Sequence, residues 1–168
     1  MTRLIKNGNI VSDEWKTLTL AEGETPQSVR LPVGPVLVPL PVWRARRTEL
    51  IHREYEHGWP LGVWLAAEDG IEEIARDIDD FTVIAIRFDR HNDGLGYAKA
   101  RTLRRRHGYS GELRAIGHVP RDDSAYQHQA GFDAFALRPD QRTGNVLSGL
   151  FDRTTAAPSP TPQYAAAA

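Results

Sequence analysis

Apolar and polar positions along this chain fall into short blocks that read alternately as strands and helices. Leu4-Ile5 and Ile10-Val11 flank Asn7-Gly8. Both turn residues tolerate positive φ, so the segment predicts a β-hairpin. An irregular stretch from Ala21 to Val29 follows. Val36 to Leu40 is then a short apolar strand bracketed by Pro35, Pro39 and Pro41. Proline cannot donate to a ladder, so an edge or terminal position is expected. Arg46 to Gly58 has helical spacing, with Arg47, Leu50, Ile51 and Glu54 on one stripe and Gly58 as the stop. Leu61 to Ala66 is the next strand. Ile71 to Ile78 places Ile71, Ile74, Ala75 and Ile78 on one helical face, capped by Asp69 or Gly70, with Glu72 and Glu73 in the first turn where the dipole favours acids.

Phe81 to Phe88, FTVIAIRF, is apolar at nearly every position, the signature of a central parallel strand. Gly94 to His107 is a helix ended by Gly108, and Glu112 to Val119 is another strand. A short helix over 124–130 stops at Gly131, and Phe132 to Leu137 closes the series. The fold class expected is therefore α/β. Its sheet would be mostly parallel, with about five strands, helices on both faces and a flavodoxin- or Rossmann-like order, preceded by the hairpin. Part of an eight-stranded barrel is the alternative. The expected organisation is a hairpin and irregular segment over 1–30, an α/β domain over 31–153, and a disordered tail over 154–168, where TTAAPSPTPQYAAAA has no periodicity.

Composition narrows the chemistry. The chain has no cysteine, which excludes disulfides, thiol catalysis and thiolate-held clusters or zinc. A net charge of −1 argues against nucleic acid as a partner. No apolar run approaches the ~20 residues that span a bilayer, and the first residues lack a signal-peptide pattern. A cytoplasmic protein without membrane contact is expected. The charge is segregated: Lys99 to Arg121 holds seven Lys or Arg against one acid, and Glu68 to Asp80 holds seven acids against Arg76. Two solvated helix faces would account for that split.

The loop DRHNDG, Asp89 to Gly94, leaves a central strand and enters a helix N-terminus. Backbone N–H groups of Gly94, Leu95 and Gly96 there would suit an anion. Asp93 stands at the cap position and can satisfy the same donors. No GxGxxG fingerprint or P-loop lysine accompanies the glycines. Asp89, His91 and Asp93 alternate, but no acid completes a calcium-loop pattern, so no metal is expected. In the following helix, Gly96, Ala100, Leu103 and His107 form the buried stripe. Tyr97, Arg101 and Arg105 form a basic ladder on another face, with Arg104 beside them, suited to an oxyanion or an acidic partner. Arg114 and His118, four apart in one strand, are expected on one face. A buried Arg114 needs a carboxylate; Glu112 shares that face, and Asp89 and Asp93 come from a neighbouring strand end. Arg87 should lie beside the first loop. Arg121 and Asp122 follow at the same sheet edge, so the two loops would border one cleft.

These residues also carry a resemblance. DGLGYAKARTLRRRHGYSGELRAIGHVPRDD, with GFDAFALRPD downstream, resembles the bacterial domain-of-unknown-function family 934 from about Val36 to Asp140. In this chain Leu95 stands where the family usually has Arg, His118 replaces an Asp, Asp123 a Gln and Ala130 a Cys. The resemblance implies sulfite reduction, in which members are described as oxidoreductases. This chain has no flavin motif, dinucleotide fingerprint or cysteine, so no cofactor is expected. The expectation is an accessory protein of sulfur assimilation that docks to sulfite reductase or a ferredoxin-like donor. The alternative is an enzyme or binding domain for an anionic small molecule at the strand C-terminal edge.

Overall fold

The computed structural model describes residues 2–89, 94–119 and 128–137. Its strands are β1 (Thr2–Lys6), β2 (Asn9–Asp13), β3 (Lys16–Thr17), β4 (Val36–Pro39), β5 (Leu61–Leu65), β6 (Val83–Phe88), β7 (Glu112–Gly117) and β8 (Ala134–Leu137). Helix α1 (Leu40–His57) follows β4, and α2 (Gly94–Arg105) follows β6. The eight strands form one sheet in the order β2-β1-β8-β7-β6-β5-β4-β3. Neighbours from β3 through β8 run parallel, while β1 pairs antiparallel with both β8 and β2.

The hairpin forms as its turn chemistry demands, with Asn7 at φ 51° and Gly8 at φ 77°. β6 is central, flanked on both sides by parallel partners. The doubly wound order with helices on both faces is corrected. β4 to β8 lie side by side in chain order, and right-handed crossovers stepping one way put their helices on one face. Accordingly Trp43 and Leu50 of α1 and Tyr97, Ala100 and Leu103 of α2 join a single core with Val38, Val63, Ile84, Ile86 and Leu113. Trp43 meets Phe81 edge to face at 4.7 Å.

The other face is concave. Glu14 and Trp15 are the whole connection between β2 and β3, which are opposite edges of the sheet. A flat sheet of this many strands would hold its edges roughly 34 Å apart. The three chain steps from Asp13 to Lys16 reach about 11 Å at most. The sheet therefore curls into a half-barrel. Its hollow is packed with Leu37, Trp64, Val83, Ala85 and Ile116, with Trp15 against them. Gly62 leaves room for that indole: a Cβ there would stand 2.5 Å from Leu37 Cδ2 and 3.0 Å from Trp15.

Three local expectations change. β4 is inside the sheet, bordered by the two-residue β3, and its prolines mark the strand end. Pro41 lies in the first turn of α1, where no N–H is needed, so the helix starts at Leu40 and is kinked at Arg46 (φ −132°, ψ 26°). The helix expected over Ile71 to Ile78 is two 3₁₀ turns, Ile71–Glu73 and Ile78–Asp80. Ile71, Ile74 and Ile78 are still buried. Glu73 and Asp77 are drawn to Arg44 and Arg47 of α1. Of the helix expected over 124–130, residues 128–130 are described and helical. The tail expected from Thr154 lies outside the described residues.

Candidate functional site

A cavity of about 300 Å³ opens at the C-terminal ends of four adjacent parallel strands. Thr19 and Leu20 follow β3, Pro39 and Pro41 end β4, Trp64, Ala66, Glu68 and Asp69 come from β5 and its loop, and Arg87 from β6. In α/β sheets the crevice beyond the strand carboxyl ends is where ligands collect, because the loops there can vary without disturbing the core.

Strand period brings Arg87 here. Val83, Ala85 and Arg87 alternate onto the concave face, and Arg87 is last, at the rim. Its guanidinium lies 4.8 Å above the Trp64 ring, and its Nε donates to Asp89 Oδ1 at 2.9 Å. Trp64 is fixed by its own Nε1, which donates to the Leu18 carbonyl at 2.8 Å. The loop after β5 is tied down twice. Ala66 N–H donates to Asp69 Oδ2 at 2.7 Å, and Lys99 Nζ from α2 donates to the Ala66 and Ala67 carbonyls, each at 2.6 Å. The walls are thus set by protein–protein bonds before any ligand arrives, which lowers the ordering penalty of binding. Of the two expected caps, Asp69 serves this loop, and Gly70 stands at the N-cap of the first 3₁₀ turn.

The residues expected at the site are distributed as follows. Asp89 is beside Arg87 at the rim. His118 leaves β7 next to the end of β6, its N–H donating to the Phe88 carbonyl at 2.6 Å, and is exposed. Gly94 opens α2, and Leu95 beside it is exposed. Gly96 lies against Phe88, where a Cβ would stand 2.7 Å from the ring. Tyr97 is corrected: it is buried, 5.2 Å from the Phe88 ring and 6.5 Å from Phe132, so it belongs to the core. Arg101 is half-buried and Arg105 exposed. Arg104 turns inward, donating to the carbonyls of Tyr109, Gly111 and Gly131 and pairing with Asp133. His107 is half-buried and lies beyond the end of α2. Asp93, Arg121, Asp122 and Asp123 lie outside the described residues.

The strand expected to carry both Arg114 and His118 stops before the histidine. Gly117 at φ 81° ends β7 and breaks the alternation between them. Arg114 is deep in the concave face and 2% exposed. Its Nη1 donates to both oxygens of Asp13 at 3.0 Å, its Nε to Glu112 Oε1 at 2.9 Å, and its guanidinium lies 5.9 Å from the Trp15 ring. Lys6 Nζ donates to Glu112 Oε2 at 2.7 Å. Burial works against the Glu112 carboxylate, but the bonds from Lys6 and Arg114 outweigh it and hold its pKa below the ordinary value. Each of these charges has its partner, and the cluster braces the sheet. The carboxylate requirement and the Glu112 position were readable from strand period; Asp13, in the hairpin, was not.

Trp64, Glu68 and Thr19 were missed as site residues. The usable signal was general: Thr19 and Glu68 follow strand ends, as Asp89 does, and Trp64 is the penultimate residue of β5. Among the described residues no group of three or more His, Cys, Asp or Glu is placed to hold a metal ion, and no helix is long and apolar enough to cross a membrane.

Fold and cavity define an α/β half-barrel protein with a preformed crevice at the carboxyl ends of its parallel strands. The chain belongs to a family of bacterial proteins of unknown function, DUF934, which matches residues 62–158. The match runs from β5 through α2, β7 and β8. No curated protein and no solved structure matches the chain.

Proposed function

We propose that this chain is an accessory binding protein of sulfite reduction that holds a small anionic ligand at the carboxyl ends of β4, β5 and β6. The observation that carries the reading is the cavity itself, with Arg87 at its rim and Trp64 beneath the guanidinium. A planar guanidinium stacked on an aromatic ring keeps its in-plane edge open; Nε and Nη2 of Arg87 face Asp89, and the remaining donors can meet an oxyanion. The link to sulfite reduction rests on membership of the family and on what the resemblance implies. Titration calorimetry with small organic carboxylates, beside sulfite and sulfate, tests it. Arg87→Met should remove saturable binding while shifting the melting temperature by no more than a few degrees, since its side chain is 37% exposed. Binding unchanged by Arg87→Met would sink the reading.

A second reading, docking to sulfite reductase or its electron donor, is favoured by Arg105 and Arg106, both exposed at the end of α2. Such a surface suits an acidic partner and would act mainly on association rate and salt dependence.

A further inference from the structure

We infer that the ligand of this cavity is a small zwitterion with a compact apolar body, the chemistry of an apolar α-amino acid. The inference rests on the reading of the cavity as an anion-recognising site and adds what the rest of the lining requires. Arg87 is the cavity's guanidinium, and it already faces the Asp89 carboxylate. Glu68 and Asp69 line the same space. Among the described residues, a lone inorganic anion entering here would meet the Glu68 and Asp69 carboxylates of the lining and the Asp89 carboxylate on Arg87, against the guanidinium of Arg87. Like charges close together in a partly dry crevice are costly. A ligand that brings an ammonium with its carboxylate removes the conflict: the carboxylate takes Arg87, and the ammonium takes Glu68 and the Asp69 oxygen not engaged by Ala66 N–H.

The rest of the lining agrees. Leu20, Pro39, Pro41, Trp64 and Ala66 offer an apolar wall to a side chain, and Thr19 offers a hydroxyl near the mouth. About 300 Å³ is at the small end of ligand sites, enough for a small metabolite and too little for a dinucleotide. The two polar poles come from different strands, Glu68 and Asp69 after β5 and Arg87 at the end of β6. The loop carrying the acids is clamped by Lys99, so the separation between the poles is preset.

The test is calorimetry on the full chain with four probes: L-leucine, 4-methylpentanoate, which lacks the amine, 3-methylbutylamine, which lacks the acid, and sulfite. The expected result is saturable binding of L-leucine, with each singly charged analogue weaker by about tenfold or more, the typical loss of a charge-assisted hydrogen bond. Arg87→Met should weaken L-leucine and 4-methylpentanoate and leave the amine unaffected. Glu68→Gln should weaken L-leucine and the amine and leave the acid unaffected. Glu68 is exposed, so neither substitution opens the core. If L-leucine and 4-methylpentanoate bind equally and Glu68→Gln changes nothing, the zwitterion is wrong and the anion reading stands. If sulfite binds through Arg87 and L-leucine does not, the zwitterion is again wrong and the anion reading again stands. If none of the four binds, both fall.

Discussion

Arg114 is the charge on which the concave face depends. It is buried, it spans from β7 to the hairpin, and two carboxylates hold it. Removing one member of such a cluster leaves its partners charged and dry, which is where large losses arise. Glu112 makes the cluster sensitive to acid. Its pKa is held below that of a free glutamate, so its stabilising contribution is present above the unfolded-state pKa of about 4.3. It is lost as pH falls through the folded value. Denaturant midpoints measured from about pH 6 down to about pH 2 should therefore fall, and Glu112→Gln should flatten that part of the profile. The same substitution should lower stability by roughly 1–3 kcal/mol at neutral pH, because Arg114 and Lys6 lose a charged acceptor. A variant whose acid profile matches the parent would show that Glu112 does not carry this dependence.

Helix α2 and strand β6 meet through glycine. Gly96 sits on the Phe88 ring, and Gly117, in the left-handed region, sits on the Phe88 backbone, where a Cβ would stand 2.5 Å from the carbonyl oxygen. A ring can yield a little, whereas a carbonyl inside a ladder cannot. Gly96→Ala should cost roughly 1–3 kcal/mol as overpacking. Gly117→Ala should cost more, because positive-φ strain adds to the clash. Gly94→Ala, with nothing within 4 Å of its Cβ, serves as the control and should melt close to the parent. Thermal denaturation of the three orders them, and equal melting temperatures would refute the packing argument. The same contact explains Tyr97. Helical spacing alone allowed it beside Arg101 and Arg105, but Phe88 and Phe132 offer aromatic surface on the sheet side.

The hairpin is part of the barrel wall. β1 extends the sheet from β8, and the chain from β2 to β3 brings the two edges together. Lys6 and Asp13 also supply the partners of Glu112 and Arg114. Deleting residues 2–13 should thus uncover the β8 edge and leave Arg114 short of a counter-charge. The truncated chain is expected to lose its sharp, cooperative thermal transition and its near-ultraviolet circular dichroism. An unchanged melt would mean the hairpin is an appendage and the curl has another cause.

Much of the local order was readable along the chain because its causes are local. Asn7-Gly8 specifies a turn through φ, the FTVIAIRF run specifies a doubly covered strand, and Arg114 with Glu112 follows from a period of two. Strand direction followed from the alternation of elements. The sequential strand order and the curl did not, because both depend on which strands pair, a choice governed by contacts remote in sequence. Asp13 reaches Arg114 across 101 positions, Lys99 clamps a loop more than thirty residues earlier, and Arg87, Trp64 and Glu68 line one cavity because β5 and β6 lie side by side. Periodicity reports the face a residue shares with its own strand. It carries no information about what faces it across the hollow, and that opposition is what makes both the brace around Arg114 and the crevice at Arg87.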